Sequence, residues 1–409
     1  MSLRNKRIAI LNDSTKYGRL TIMQQPIVHT YSLGELYTER KEKGDPSLPI
    51  LTVSIHAGVS EGELDEDKLG KKVKRIADKT QYKTARKGDL VFNMMRAWQG
   101  AIGVVRSDGL VSPAYIVAKP NEKIWPEYMD YCMKTPRMIH AIHRQSYGVT
   151  DFRLRLYWDS FTPITCQLPT LPEQQKIAAI LSTQDKVIEL KEKLLAQKQQ
   201  QKKYLMQQLL TGKKRLPGFD RKWNYVKANE IFKSIVDKSH DGKLEVLSST
   251  QDKGIVPRSQ VDIDIKYNEN SLSTYKKVCE GDFVISLRSF QGGIEYSNYA
   301  GIVSPAYTVL RAIVKIDNGY YKQFFKSSNY IKRLNVAVYG IRDGKQISYD
   351  DFGQIKIPVP PIEEQREVAK VLSTADHEID LLQKSIEAEK QKKKALMQLL
   401  LTGKVRVKI

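Results

Sequence analysis

Leu205-Met206-Gln207-Gln208-Leu209-Leu210-Thr211-Gly212-Lys213 returns 191 residues later as Leu396-Met397-Gln398-Leu399-Leu400-Leu401-Thr402-Gly403-Lys404. From Pro169 to Arg215, 23 of 47 positions are identical at that offset, with no gap. Chance does not produce such a run, so the chain is an internal duplication, and the duplication decides the architecture. Upstream, Leu181-Ser182-Thr183 recurs as Leu372-Ser373-Thr374, and Val111-Ser112-Pro113-Ala114-Tyr115 recurs unchanged as Val303-Ser304-Pro305-Ala306-Tyr307. Lys87-Gly88-Asp89-Leu90-Val91-Phe92 echoes Glu280-Gly281-Asp282-Phe283-Val284-Ile285, and Tyr147-Gly148 recurs as Tyr339-Gly340. Each copy is a long variable part followed by a nearly constant tail. The expected divisions are an N-terminal arm at 1–24, variable domains at 25–167 and 216–358, and constant tails at 168–215 and 359–409.

The tails read as long helices. Thr170-x-x-Glu173 has the form of a capping box with Pro172 in the first turn, and the second copy carries Glu363 and Glu364 just after Pro360-Pro361. Both copies stop at a glycine, Gly212 and Gly403, which suits a helix end. Apolar residues recur at 4-3 spacing as Ile177, Leu181, Ile188, Leu195, Leu205 and Leu209 in the first copy. The second has Val368, Leu372, Ala375, Ile379, Leu382, Ile386, Leu396 and Leu400. That spacing is a coiled-coil seam. Gln184, Lys191, Lys198 and Lys202 interrupt the first row, and Glu389 and Lys393 the second, so the seam is expected to be open or wet there. Pseudo-two-fold symmetry within one duplicated chain predicts that the two helices pair antiparallel.

The variable parts read differently. Leu90-Val91-Phe92, Ile116-Val117-Ala118, Phe283-Val284-Ile285 and Tyr307-Thr308-Val309-Leu310 are short, β-branched or aromatic runs bounded by turn residues. Pro126–Gln145 and Asn318–Leu334 read as short helices. The fold class is therefore mixed α/β: two globular α/β domains alternating with two long helices.

The chain has 67 Lys and Arg against 46 Asp and Glu, a net charge of +21. That balance favours a polyanionic partner, nucleic acid first and an anionic membrane surface second. No apolar run approaches the 18 or so residues of a membrane span, and no apolar core follows the basic start of a secretory signal. Cys132, Cys166 and Cys279 are far apart, which excludes a disulfide scaffold and fits a reducing cytoplasm. No GxxxxGK[ST], no GxGxxG, no Asn-Pro-Pro-aromatic tetrapeptide and no Pro-Asp…Glu-x-Lys nuclease pattern occurs, so no catalytic residue is assigned. His140 and His143 lie three apart but lack a carboxylate or cysteine at ligand spacing, so no metal site is assigned either.

The residues expected to meet DNA lie in two repeated loops. Arg96-Ala97-Trp98-Gln99-Gly100 answers to Arg288-Ser289-Phe290-Gln291-Gly292. Arg grips guanine or phosphate, Gln pairs with adenine, and an aromatic stacks or wedges; the plainer reading of Trp98 and Phe290 is core packing beside a glycine turn. After Tyr147-Gly148 come Arg153 and Arg155, and after Tyr339-Gly340 come Arg342 and Lys345. Glycine with clustered cations suits a phosphate backbone, against the alternative of a solvated charged loop. Ser112-Pro113-Ala114-Tyr115 and its twin read as structural turns. The basic helix ends, Lys202-Lys203 with Lys213-Lys214-Arg215 and Lys392-Lys393-Lys394 with Lys404, Arg406 and Lys408, also complement the helix dipole.

Two variable domains alternate with two near-identical helices. The helices open with Leu171-Pro172-Glu173-Gln174-Gln175 and Pro361-Ile362-Glu363-Glu364-Gln365 and end in Leu-Met-Gln-x-Leu-Leu-Thr-Gly-Lys, and Leu216-Pro217-Gly218-Phe219-Asp220 with Trp223 follows the first. This combination resembles the specificity subunit of a type I restriction-modification system, over nearly the whole chain. The Pro-Gly-Phe segment has no twin before the first variable domain. The resemblance implies that the variable domains are target recognition domains and that the helices are conserved spacers binding two modification (methyltransferase) subunits. It implies no active site and no cofactor on this chain. S-adenosylmethionine is held by the modification subunits, and ATP and Mg by the restriction (endonuclease/translocase) subunits. The implied target is double-stranded DNA read as two half-sites around a gap, and the expected location is cytoplasmic. Off-seam Tyr204, Gln207 and Gln398 are the candidates for partner contact. A free-standing duplicated DNA-binding regulator is the alternative, separable by whether a neighbouring gene encodes an Asn-Pro-Pro-aromatic tetrapeptide. A nuclease is a third reading, separable by metal-dependent cleavage by the chain alone.

Overall fold

The computed structural model describes residues 20–21, 29–55, 58–62, 78–150, 153–261, 269–337 and 347–409. The chain forms two compact units, Met1–Leu190 with Ile386–Ile409, and Lys191–Ser385. Each unit therefore holds one variable domain, part of the first long helix and part of the second. Of the expected N-terminal arm only residues 20–21 fall within the described residues, and there Leu20–Thr21 pairs antiparallel with Arg406–Val407 near the C-terminus.

In the first unit a four-stranded antiparallel sheet runs Tyr37–Glu39, Tyr115–Pro120, Leu90–Asn93, Ile102–Val104. The second unit repeats that order with Phe232–Ile235, Thr308–Ala312, Phe283–Ile285 and Glu295–Tyr296. Both faces of each sheet are covered, which explains uninterrupted apolar runs where a half-exposed strand would alternate. Leu90 and Phe92 face one core with Ile116, Ala118 and Phe161, while Val91 and Val117 face a second core under Leu51 and Val53. Phe283, Ile285 and Leu310 likewise face one core, and Val284 and Val309 the other. The larger core of each unit also takes residues from both long helices: Ile177, Leu181 and Leu400 in the first, Leu209, Val368 and Leu372 in the second.

The repeated Ser-Pro-Ala-Tyr segments are turns into central strands. Tyr115 N donates to Ser112 O at 2.9 Å and Tyr307 N to Ser304 O at 3.0 Å. A lysine locks each turn: Lys83 Nζ donates to Tyr115 O at 2.7 Å and Lys276 Nζ to Tyr307 O at 2.6 Å. Each expected short helix is two. Pro126–Cys132 and Pro136–Gln145 are separated where Thr135 caps the second and Pro136 removes an interior N–H, and Asn318–Phe325 is followed by Ser328–Ala337.

The long helices span Leu171–Leu209 and Ile362–Leu400, 39 residues each, about 58 Å at 1.5 Å per residue. Gly212 and Gly403, both at φ 69°, end them in the left-handed conformation that glycine adopts without Cβ strain. Within each unit the helices are antiparallel, since the start of one lies against the end of the other. The first unit pairs Glu173 with Arg406, Gln184 with Glu389 and Asp185 with Lys393. The second pairs Lys191 with Ser385, Lys198 with Glu378 and Lys202 with Asp376. The polar interruptions of the seam are thus occupied by side-chain pairs between the helices, several of them partly open to solvent. Every residue of the apolar 4-3 rows is buried or half-buried, Leu195, Leu205, Ala375, Ile379, Leu382 and Leu396 being half-buried.

Candidate nucleic-acid interface

In the first unit the strand Leu90–Asn93 runs into a tight loop that holds the single 3-10 turn Ala97–Gln99. Ala97 is fully buried and anchors the turn, while Arg96 and Gln99 are exposed. The loop closes on itself, with Arg96 N donating to Asn93 O and Ala101 N to Arg96 O, each at 3.0 Å. Trp98 is half-buried: its Nε1 donates to Met95 O at 3.0 Å and its ring meets His143 edge-on, 5.5 Å between centroids. The packing role of Trp98 therefore takes most of its surface. His143 serves this packing, and among the described residues no cluster of His, Cys, Asp and Glu could hold a metal.

The loop after Tyr147-Gly148 lies beside the first. Tyr147 and Arg155 exchange backbone hydrogen bonds at 3.1 and 2.9 Å, and Leu156 N donates to Met94 O at 2.9 Å, tying the two loops together. Gly148 is required by a close approach: a Cβ there would lie 2.2 Å from Arg153 O. Arg153 and Arg155 are exposed, and exposed Tyr147 stacks on Tyr157 at 5.0 Å, a pair that no sequence motif singled out. The first unit thus brings Arg96, Gln99, Arg153 and Arg155 onto two adjoining loops, with an aromatic pair beside the arginines.

The second unit builds its first loop alike. Arg288 and Gln291 are exposed, Ser289 is buried, and Phe290 is half-buried against the core. Arg342 and Lys345 lie outside the described residues. In both units the strand leading into the arginine loop pairs with the strand entered from the repeated tyrosine turn, Asn93 opposite Tyr115 and Ile285 opposite Thr308. Burial pushes the Tyr115 hydroxyl up, opposed by Arg96 and by a bond with Asn93. Burial does the same to Tyr307, opposed by Arg258 and Arg288. Two motifs that are about 20 residues apart in sequence are therefore one site in space.

The likeness of the two helices has a structural explanation that spacing alone did not reveal. Glu173 and Glu364, with side chains 1% and 0% exposed, each take both Nε and Nη2 of an arginine a few residues past the end of the other helix, Arg406 and Arg215. Trp223 Nε1 also donates to Glu364, at 2.8 Å. Glu173 is thus one half of a buried ion pair, not the cap partner that its spacing from Thr170 suggested. Gln174 and Gln365 accept from the backbone N–H of Trp125 and Asp317, at 2.8 and 2.9 Å, stitching each helix start to its α/β domain. Asp185 and Asp376 each take one donor from the α/β domain, Tyr131 and Gln323, and one lysine from the other helix, Lys393 and Lys202. Identity at offset 191 was the available signal for Glu173, Gln174, Asp185, Lys202, Arg215 and their counterparts. Of the off-seam candidates, Tyr204, Gln207 and Gln398 are all exposed.

The sequence pattern of the family described as "Type I restriction modification DNA specificity domain" matches residues 33–199 and 220–390. The chain is 26% identical over 410 residues to the putative type I restriction enzyme MjaX specificity subunit of Methanocaldococcus jannaschii, covering 91% of this chain and 90% of that one. It is 27% identical to the type I restriction enzyme MjaVIII specificity subunit of the same organism, covering 73% and 75%. The crystal structure of the HsdS subunit from Thermoanaerobacter tengcongensis shares its fold, with a TM-score of 0.50, 21% identity and coverage of 92% and 97%. Among the described residues no helix is long and apolar enough to cross a membrane. With two copies of one specificity domain on a single duplicated chain, this protein belongs to the type I restriction-modification DNA specificity family, as a specificity subunit that recognises DNA sequence within a restriction-modification complex.

Proposed function

We propose that each unit reads one half-site of a bipartite double-stranded DNA target and that the long helices dock two modification subunits, which in turn recruit restriction subunits. The observation that carries this reading is the repeated loop. Two diverged α/β domains keep an exposed arginine and glutamine on the same closed turn, beside the same turn with its half-buried tyrosine. The planar forks of Arg and Gln match the major-groove edges of guanine and adenine. Chemistry is assigned to the partners: S-adenosylmethionine to the modification subunits, ATP and Mg to the restriction subunits, and no cofactor to this chain.

The docking surface is read from helix residues that are alike in both copies and are not consumed by contacts within the units. Leu190 and Leu381 stand at matching positions and are 53% and 52% exposed. Gln207 and Gln398 match likewise, whereas Tyr204 faces Ala395 in the alignment and so serves one helix only. A surface offered twice to two identical subunits must present the same groups twice. The test is expression of the chain with the modification subunits of its host, followed by mapping of methylated adenines. Two unlike half-sites around a fixed gap are expected. Methylation that does not depend on this chain overturns the proposal.

A further inference from the structure

The residue before each loop arginine is apolar and points into solvent: Met95 is 46% exposed and Leu287 is 50% exposed. We infer that Met95 and Leu287 are specificity-determining side chains, each seated against the 5-methyl group of a thymine in the half-site read by its own unit. The inference rests on the reading of these loops as base-reading loops and adds one interaction to it.

A single exposed apolar residue is ordinary. Here the same choice is made at the same place in two domains whose surrounding residues differ, Met94 against Ser286 before it and Ala97 against Ser289 after the arginine. Core packing does not account for it, since the neighbouring Ala97, Ser289, Trp98 and Phe290 already supply the inward contacts. The backbone is also held. Asn93 Oδ1 accepts from Met95 N at 3.0 Å, and Met95 O accepts from Trp98 Nε1 at 3.0 Å. In the second unit Ser289 Oγ accepts from Ser286 N at 2.9 Å and Ser286 Oγ accepts from Arg288 N at 3.3 Å. Each loop thus presents its apolar side chain on a fixed frame, beside Arg and Gln. The major groove offers one apolar feature among its polar edges, the thymine methyl. A loop whose polar members suit guanine and adenine there completes its reading with an apolar member.

The experiment uses the full chain assembled with its modification subunits and a duplex carrying the mapped target. Each thymine of each half-site is replaced in turn by uracil, which removes only the methyl group. One replacement in each half-site is expected to weaken binding about three- to fivefold, the worth of one buried methyl. Met95→Ala should abolish that sensitivity in one half-site and leave the other intact, and Leu287→Ala should do the converse. Met95→Leu and Leu287→Met, which keep the apolar volume, should retain it and control for folding. Half-sites without thymine, uniform tolerance of uracil, or sensitivity that survives both alanine variants overturns the inference. Arg96→Ala separates this from failure of the parent reading. Selective loss on specific DNA in that variant, with no methyl effect at Met95, leaves the loop a base reader and removes only the apolar interaction.

Discussion

Replacing Arg406 with leucine should loosen the first unit while leaving the second folded. The Glu173 carboxylate is 1% exposed, and among the described residues its hydrogen bonds come from the Nε and Nη2 of Arg406. Arg406 itself is 23% exposed, so the pair sits at the edge of the core. Removing one partner of a buried pair costs about 3–5 kcal/mol, because the remaining charge stays desolvated and unpaired. The partial exposure of Arg406 places the expected loss at the lower end, about 3 kcal/mol, which at about 1.4 kcal/mol per decade is on the order of 100-fold. Hydrogen exchange read by peptide is the assay, since it reports sub-global opening region by region. Protection in residues 78–150 should fall by that factor while protection in 276–337 holds. Arg215→Leu should do the reverse at a smaller cost, because Glu364 keeps the indole of Trp223. The double variant Glu173→Leu/Arg406→Leu removes both charges and should return to within about 1 kcal/mol of the parent. A change of less than threefold in Arg406→Leu, or a double variant as weak as the single, would refute the reasoning.

Arg96→Ala and Arg288→Ala should each weaken specific binding by about 1–3 kcal/mol at one half-site, with little effect on random DNA in a competition assay. Equal losses on both would reassign them to phosphate binding or folding. Arg153→Ala with Arg155→Ala should weaken binding to all sequences alike and reduce the slope of log K against log salt by about 0.9 for each phosphate no longer neutralised. Gly148→Ala should disrupt the backbone bridge between Tyr147 and Arg155, because its Cβ would lie 2.2 Å from Arg153 O. The readout is faster exchange at 147–156 with the sheet still protected. Leu190→Glu combined with Leu381→Glu should abolish co-purification with the modification subunits while the circular dichroism spectrum persists. Retained assembly would exclude these two leucines from the docking surface.

The duplication, the long helices with their glycine ends, the apolar rows and the α/β character of the variable domains were all legible in the residues, because each depends on local spacing or on comparing the chain with itself. The positions of Arg96, Gln99, Arg153 and Arg155 could be proposed in the same way, as charged or amide residues beside a glycine. That their loops adjoin could not, since it depends on Leu156 meeting Met94, a bond across more than 60 residues of chain. The capping-box spacing of Glu173 described a local bond, and the half-buried guanidinium of Arg406 at the far end of the chain outcompeted it. A desolvated carboxylate is satisfied best by two charge-assisted donors, wherever in the sequence they lie. The same holds for the seam. Spacing marked Gln184, Lys191, Lys198, Lys202, Glu389 and Lys393 as breaks, because it reads one helix at a time. Only the antiparallel register set a polar partner on the facing helix beside each, turning breaks in a row into bonds between the helices.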